Sequence, residues 1–294
     1  MRAKLNGTEL FFDSVGSCLV PAGDRMVERP VCFMLHGGPL VDSSYLRPWM
    51  DSLSEIMQLV YVDYRGTGRS IRMSPESYTL ENTIDDLDAL RIYLGLGRIA
   101  ILGHSHGGKL AMSYAIKFPD SVSHLILVAT TPYTGPEYEA ESESNLNILI
   151  SERPDLAPMI QEYWYTEKPQ TLEDIKAQFH RTFSIWFHRP DHKIVSDVAE
   201  RIIYSPDVLN WWVEHEGPKY DVRDKLDSIG VPTIIMAGRH DWRTTVRHAE
   251  VMKRGIPGSE LVVFEESGHQ LYIEEPGKFR SAVMDFLERH PLTD

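Results

Sequence analysis

Cysteine is scarce in this sequence, with only Cys18 and Cys32 among 294 residues. Two cysteines cannot form a disulfide framework, and their scarcity favours a reducing, cytoplasmic location. Cys32 lies inside the apolar run 31–35, where a cysteine usually acts as an inert hydrophobic side chain. We therefore expect neither a disulfide-stabilised fold nor a catalytic thiol.

Long hydrophobic segments and an excess of basic residues are also missing. Residues 1–12 contain no continuous apolar segment of the kind found in a secretory signal. No run approaches the roughly 20 apolar residues that a membrane-spanning helix needs. The formal net charge is −13, whereas nucleic-acid binding requires a basic face. We therefore expect no membrane or nucleic-acid partner, and a small-molecule substrate instead.

Metal-binding and nucleotide-binding motifs are likewise absent from the sequence. It contains no His-Glu-x-x-His and no paired-cysteine motif, so we predict no metal site. Segment 63–70 reads Asp-Tyr-Arg-Gly-Thr-Gly-Arg-Ser, which lacks the glycine spacing of nucleotide-phosphate loops. We predict that this segment is a structural loop and that the protein uses no cofactor.

Short apolar runs alternate with segments of helical periodicity. Four runs are almost wholly apolar, namely 31–35, 59–62, 99–102 and 125–129. Two intervening segments place apolar side chains near one helical face, namely 82–94 and 107–118. Continuous apolar runs are typical of parallel strands that helices cover on both faces. The alternation predicts an α/β fold with a mostly parallel, doubly wound sheet.

The N-terminal segment has a different pattern. We predict that residues 5–12 form a strand of an antiparallel hairpin, with Asn6-Gly7 as a turn. Its partner is either the short apolar step 19–20 or the region before Pro30.

The alternation stops at Pro132 and resumes with strands at 231–237 and 261–264 and a closing helix at 276–289. The intervening segment has mainly helical periodicity and is rich in aromatic residues. We predict a core of residues 1–132 and 218–294 and an inserted helical cap of residues 133–217. A cap this aromatic is suited to lining an apolar pocket. Our predicted substrate-binding residues are Trp186 and Trp211 in the cap and Trp242 in the core.

The strongest local motif is Gly103-His104-Ser105-His106-Gly107, which has the form Gly-x-Ser-x-Gly. It follows the predicted strand 99–102 and precedes a helical pattern, which is the context of a nucleophile elbow. Such a turn is so tight that it requires small residues on both sides of the serine. We predict that Ser105 is the nucleophile and that the His104 and His106 side chains pack locally.

A serine hydroxyl needs a base, and a histidine base needs an acid to orient it. His269 follows the late strand 261–264 and a glycine turn, which is where the order Ser, Asp, His places the base. Asp241 follows the preceding strand 231–237, whereas the loop after 125–129 offers no carboxylate. We predict a Ser105–His269–Asp241 triad.

An oxyanion hole requires two backbone N–H groups near the nucleophile. The glycines of His36-Gly37-Gly38-Pro39 follow strand 31–35 and allow a substrate oxygen to approach the backbone closely. We assign the donors to the N–H groups of Gly38 and His106. Such donors each contribute roughly 3–4 kcal/mol to stabilising an acyl-transfer transition state.

Five segments together resemble the α/β-hydrolase superfamily and, within it, the proline-iminopeptidase-like group. They are His36-Gly37-Gly38-Pro39, segment 63–70, Gly103 to Gly108, Gly238-Arg239-His240-Asp241 and Gly268-His269. They occur in the family's order and span nearly the whole core. The resemblance implies a helical cap over the site, hydrolysis through an acyl-enzyme and no cofactor.

The sequence departs from that group at the positions that would bind a substrate's free amino terminus. The resemblance calls for a glutamate directly after the catalytic acid, but Trp242 and Arg243 occupy that place. A second acid should follow a Gly/Ser-Pro step, and the nearest match is the displaced Asp207. Leu40 also replaces the last glycine of His-Gly-Gly-Pro-Gly. These departures favour a small neutral or apolar ester or lactone over a cationic amine.

Three hypotheses follow from the sequence. The first is a serine hydrolase that cleaves a carboxylic ester or lactone through an acyl-enzyme. The second is a proline-iminopeptidase-like aminopeptidase with the same triad. The third is a non-catalytic binding protein that uses the cap pocket, against which the intact triad speaks.

Overall fold

The computed structural model of the protein describes residues 1–166 and 171–292. The strands in this part of the chain, β1 to β10, are Arg2–Leu5, Thr8–Val15, Leu19–Ala22, Arg25–Glu28, Val31–Leu35, Gln58–Val62, Ile99–His104, Val122–Val128, Thr233–Gly238 and Glu260–Phe264. Eight of them form one sheet in the order β1-β2-β6-β5-β7-β8-β9-β10. Strands β3 and β4 pair separately.

The sheet is parallel from β6 to β10, and β1 and β2 join it in antiparallel fashion. Strand β5 is central, because Cys32 pairs with Leu59 on one side and with Ala100 on the other. Every residue of β7 and β8 is buried, as continuous apolar strands require. The predicted α/β fold with a mostly parallel, doubly wound sheet is confirmed.

The N-terminal prediction was wrong in its pairing. The turn at Asn6-Gly7 forms, with φ angles of 46° and 73°, but it divides the segment that we expected to be one strand. Its two arms, β1 and β2, pair with each other, with Leu5 opposite Thr8. Two consecutive residues with positive φ match the twist of a tight hairpin, and Asn-Gly tolerates that conformation best.

Helices cover both faces of the sheet. The α-helices of the described chain, α1 to α10, are Leu80–Tyr93, His106–Lys117, Pro136–Glu152, Ala157–Ile160, Leu172–Thr182, His192–Arg201, Pro206–Trp211, Val246–Gly255, Leu271–Glu274 and Pro276–Arg289. Helices α1, α2 and α8 pack with Ile101 in one core cluster, and α10 packs with Leu102 in another. Because neighbouring strand residues point to opposite faces, the two clusters lie on opposite sides. None of the described helices is long and apolar enough to cross a membrane.

Helices α3 to α7 lie between β8 and β9 in the chain, within the segment that we predicted to be a cap. Four buried aliphatic residues of this part form a cluster with Trp242 of the predicted core: Leu146, Leu156, Ile160 and Ile185. Residues 167–170 of the predicted cap and 293–294 of the predicted core lie outside the described residues. The division into core and cap stays a prediction.

The sheet order positions the candidate site. Strands β5 and β7 are neighbours in the sheet. After β5 the chain forms β6 on one side of this pair, and after β7 it forms β8 on the other side. Open α/β sheets bind their ligands beyond the carboxyl ends of strands at such a switch point. The loops that follow β5 and β7 carry Gly38 and Ser105.

Candidate active site

Ser105 lies between β7 and α2 in a strained backbone conformation, with φ 54° and ψ −115°. A non-glycine residue held there costs about 1–3 kcal/mol, which the surroundings must offset. The Ser105 N–H donates to the Val128 carbonyl at 2.9 Å. A methyl group at Gly103 would lie 2.3 Å from the Gly107 carbonyl oxygen, and one at Gly107 would lie 2.2 Å from that of Leu35. The turn therefore requires glycine on both sides of Ser105.

His269 and Asp241 are joined by a buried hydrogen bond. The two atoms, His269 Nδ1 and Asp241 Oδ2, are 2.7 Å apart, and the Asp241 side chain is fully buried. The Thr244 hydroxyl donates to the same oxygen at 2.5 Å, and the N–H groups of Arg243 and Thr244 donate to Oδ1 at 2.9 Å. The carboxylate is thus held in place by donors on every side.

The charge state of Asp241 follows from these contacts. Burial raises the pKa of this carboxyl. The nearby His269 charge and the hydrogen bonds from His269 and Thr244 have the larger, opposite effect, and the resulting pKa is about 2. The carboxylate is therefore ionised near neutral pH and accepts the Nδ1 proton of His269. That tautomer leaves the lone pair on Nε2, as a general base requires.

The third predicted triad member lies at the same sheet edge without a hydrogen bond to the base. Within the described chain, no hydrogen bond joins Ser105 Oγ to His269. The ring of His104, the residue before Ser105, lies 4.8 Å from the His269 ring. Catalytic hydrogen bonds are often long in the absence of substrate and shorten in the complex. The structure thus brings together Asp241 and His269 and places the elbow beside them.

The predicted oxyanion donors lie where the loop after β5 meets the elbow. A methyl group at Gly37 would lie 2.9 Å from Ser105 Cβ, so the loop and the serine are in close contact. Gly38 has a φ of 40°, which glycine adopts without strain. Neither the Gly38 N–H nor the His106 N–H, at the start of α2, donates to any described residue. Both remain available to a substrate oxygen.

A buried chain of hydrogen bonds, which the sequence did not reveal, connects the loop of the predicted oxyanion donor to His269, the predicted base. The Gly37 N–H donates to Tyr45 Oη at 2.6 Å, and the Tyr45 hydroxyl lies 2.5 Å from His104 Nδ1. His104 Nε2 lies 3.1 Å from the His269 carbonyl oxygen. Because a carbonyl only accepts, His104 carries its proton on Nε2, and the Tyr45 hydroxyl donates to Nδ1. Burial and the nearby His269 charge lower the pKa of His104 to about 3, so the ring is neutral.

Segment 63–70 contributes to the frame of the site. Asp63 accepts hydrogen bonds from the Ser43 hydroxyl at 2.6 Å and from Arg69 Nε at 2.9 Å. The loop is therefore tied to the segment after the oxyanion turn, which agrees with the structural role that we expected for it.

Two of the predicted substrate-binding tryptophans lie beside the base. The Trp186 ring is 4.9 Å from the His269 ring and 4.8 Å from the Trp242 ring. The Trp242 indole N–H donates to the Ile185 carbonyl at 2.9 Å, which fixes that ring. Together these indoles form one wall next to His269.

The third, Trp211, is stacked on His215 at 3.9 Å, and no described ring of the site contacts it. Its neighbour Trp212 packs edge-on against the His106 ring at 4.3 Å instead. A π-helical turn begins at Trp212, directly after α7. No sequence pattern indicated that turn, so the choice between the two indoles could not be made from the sequence alone.

A separate groove of about 580 Å³ lies between α3 and the loop after β9. Asp241 and Trp242 line it, but Ser105 and His269 do not. Because neither the predicted nucleophile nor the predicted base lines it, we do not assign the predicted reaction centre to this groove.

Comparison with known proteins places the chain among hydrolases. The family described as alpha/beta hydrolase fold matches residues 30–157 and 202–276. A proline iminopeptidase from Saccharolobus solfataricus is 30% identical over 278 residues, which cover 87% of this chain and 84% of the relative.

Solved structures give the same result for the fold. An esterase from Exiguobacterium antarcticum superposes with a TM-score of 0.72 at 24% identity, covering 97% of each chain. A thermophilic esterase from Thermogutta terrifontis superposes with a TM-score of 0.69 at 25% identity, covering 99% of each chain.

Proposed function

We propose that this chain, which belongs to the α/β-hydrolase family, is a serine hydrolase that cleaves a small carboxylic ester or lactone. The observation that carries the proposal is the buried 2.7 Å bond between His269 Nδ1 and Asp241 Oδ2, beside a serine with a φ of 54°. An oriented base next to a half-buried, strained serine is the arrangement that acyl transfer requires.

The reaction would proceed in two halves. His269 Nε2 takes the Ser105 proton while Oγ attacks the carbonyl carbon, and the carbonyl oxygen becomes an anion between the N–H groups of Gly38 and His106. When the tetrahedral intermediate collapses, His269 returns the proton to the leaving alcohol, and an acyl-enzyme remains. Water then gives a proton to His269 and attacks the ester carbon. Collapse releases the acid and restores the Ser105 hydroxyl.

The runner-up is an aminopeptidase, because a relative of this chain is named proline iminopeptidase. Asp207, the nearest match to an amino-terminus acid, is exposed on α7. Trp242 occupies the position directly after Asp241 and is buried. Arg243 follows it and pairs with Glu139 at 2.8 Å, so that carboxylate is already engaged. Of the two acids, Asp207 is on the surface and Glu139 is paired, and this favours the ester or lactone over a substrate with an ammonium group.

The test compares an activated ester with a proline arylamide in three proteins: wild type, Ser105→Ala and the control Ser121→Ala. Ser121 lies at the far end of α2, in the turn Pro119–Ser121. We expect the wild type and the control to hydrolyse p-nitrophenyl butyrate and Ser105→Ala to lose at least 10³-fold in kcat. Faster hydrolysis of the arylamide would establish the aminopeptidase, and unimpaired Ser105→Ala would exclude both enzymes.

A further inference from the structure

Lys109 is a buried amine that the proposed mechanism does not use. It lies in α2, one turn after Ser105, and only 8% of its surface is exposed. Within the described chain, its Nζ makes no hydrogen bond and no ion pair. A buried lysine is normally paired, because removing an unpaired charge from water is costly.

Aromatic rings surround this amine. Nζ lies 5.3 Å from the centre of the Trp212 ring and 5.6 Å from that of Tyr138. Trp212 is also the ring that packs against His106 at 4.3 Å, and His106 follows the nucleophile directly. The cation–π contacts stabilise a positive charge but give the three N–H donors no acceptor within the described chain.

The only acid that bears on Lys109 in the described chain is Glu139, which is already engaged. Both of its carboxylate oxygens accept from Arg243, at 2.8 and 2.9 Å. Glu139 therefore faces two basic side chains, and a protonated Lys109 has no carboxylate of its own. Burial and the nearby Arg243 charge lower the pKa of Lys109 to about 7, although Glu139 opposes this shift.

Helical geometry directs Lys109 toward the reaction centre. Lys109 is the fourth residue of α2, so its backbone lies about one turn, or roughly 6 Å along the axis, beyond the N-cap residue Ser105. Helical side chains lean toward the N-terminus, which is where Ser105 lies. A substrate carboxylate a few bonds removed from the scissile ester would come within reach of the amine.

Resting on the proposed function, we propose that the substrate is an ester or lactone that carries one carboxylate, which pairs with Lys109 Nζ. A protonated amine without a carboxylate partner matches one carboxylate, whereas a phosphate dianion would leave a second buried negative charge unpaired. The substrate class therefore changes from the neutral compound that the sequence favoured to an apolar compound with a single carboxylate.

The experiment compares an anionic ester with a neutral ester of the same shape. The p-nitrophenyl hemiester of glutaric acid is matched by p-nitrophenyl 5-methylhexanoate, in which an isopropyl group replaces the carboxylate. A second anionic probe, 3-carboxyphenyl pentanoate with phenyl pentanoate as its neutral match, places the carboxylate on the alcohol side. The variants are Lys109→Met, Lys109→Arg and the control Lys117→Met, whose lysine is paired on the surface of the same helix.

We expect the wild type to prefer at least one anionic ester. Lys109→Met should lower kcat/KM for that ester at least tenfold and change the neutral match less than twofold. Lys109→Arg should retain most of the preference, and Lys117→Met should behave like the wild type. Equal rates for anionic and neutral esters in the wild type, or an equal loss on both in Lys109→Met, would overturn the proposal.

A binding measurement separates this inference from the proposed function. Calorimetry with Ser105→Ala should show Lys109-dependent binding of the preferred anionic ester, at least tenfold weaker in Ser105→Ala/Lys109→Met. If neither ester is hydrolysed but this binding difference is found, the hydrolase proposal fails and the anion site stands. If both esters are hydrolysed and binding does not depend on Lys109, the anion site fails alone.

Discussion

The Tyr45 hydroxyl lies 2.5 Å from His104 Nδ1 and thereby joins the loop that carries one proposed oxyanion donor to the elbow that carries the nucleophile. The same hydroxyl oxygen accepts from the Gly37 N–H, and His104 in turn binds the His269 carbonyl. Two buried side chains, Tyr45 and His104, thus connect three loops of the proposed active site.

Replacing Tyr45 by phenylalanine should break this connection without changing the size of the ring. The Gly37 N–H and His104 Nδ1 would lose their partners, which costs about 1–3 kcal/mol each when buried. We expect kcat on an activated ester to fall roughly tenfold, with KM changed less than twofold, because positioning acts on the transition state. The control is Tyr114→Phe, which removes a hydroxyl bound to Asp88. Equal kinetic losses in both variants would refute the positioning role.

Asp241 should make the free energy of unfolding fall as the pH is lowered into the acid range. Its pKa falls from the ordinary 3.8 to about 2 in the folded protein. A depressed carboxyl stabilises the fold above its unfolded pKa and loses that contribution as pH falls through the folded pKa. We expect the contribution, about 2 kcal/mol, to disappear between roughly pH 4 and pH 2. Denaturation of the wild type across this window should show the loss, and Asp241→Asn should lack it.

The same variant should be nearly inactive at neutral pH. An asparagine amide favours the wrong imidazole tautomer, and the loss in kcat for such a change is about 10⁴-fold. Steady-state kinetics of Asp241→Asn should show this with the fold intact by circular dichroism. A loss below tenfold would mean that Asp241 does not orient the base.

Gly107 should tolerate no side chain. An added methyl group would lie 2.2 Å from the Leu35 carbonyl oxygen, and backbone cannot move aside as a flexible side chain can. We expect Gly107→Ala to destabilise the protein by about 3 kcal/mol or more. Gly277, in the first turn of α10, faces open space, and Gly277→Ala should leave the stability unchanged or raise it by up to ~1 kcal/mol. Chemical denaturation measures both, and equal stability of the two variants would contradict the packing argument.

Trp212 should matter to the reaction more than Trp211. Its ring covers His106 and the Lys109 amine, whereas Trp211 stacks on His215. We expect Trp212→Ala to lower kcat/KM at least tenfold, or about 1.4 kcal/mol in transition-state stabilisation. Trp211→Ala should change it less than twofold. The opposite order would restore the indole that the sequence favoured.

The fold and the proposed triad were accessible from sequence because each depends on a local pattern. Apolar runs predicted the parallel strands, and the loops after them necessarily meet at one sheet edge. Ser105, Asp241 and His269 each directly follow such a strand or its turn, so their approximate positions required only the strand order.

Features that depend on packing between distant segments could not be predicted. Tyr45 lies in the 3-10 helix Ser43–Leu46, where nothing in the sequence indicates contact with His104. The unpaired state of Lys109 depends on Glu139 turning to Arg243. The N-terminal pairing failed for a related reason: the partner is neither segment 19–20 nor the region before Pro30, because the turn at Asn6-Gly7 folds β1 back onto β2.

The most direct test of the account is covalent labelling with a fluorophosphonate probe, followed by peptide mapping. An activated serine should react stoichiometrically, so the wild type should carry the adduct on Ser105, and His269→Ala should label at least 10²-fold more slowly. Absence of an adduct, or an adduct on any other residue, would contradict the claim that Ser105 is the nucleophile of this protein.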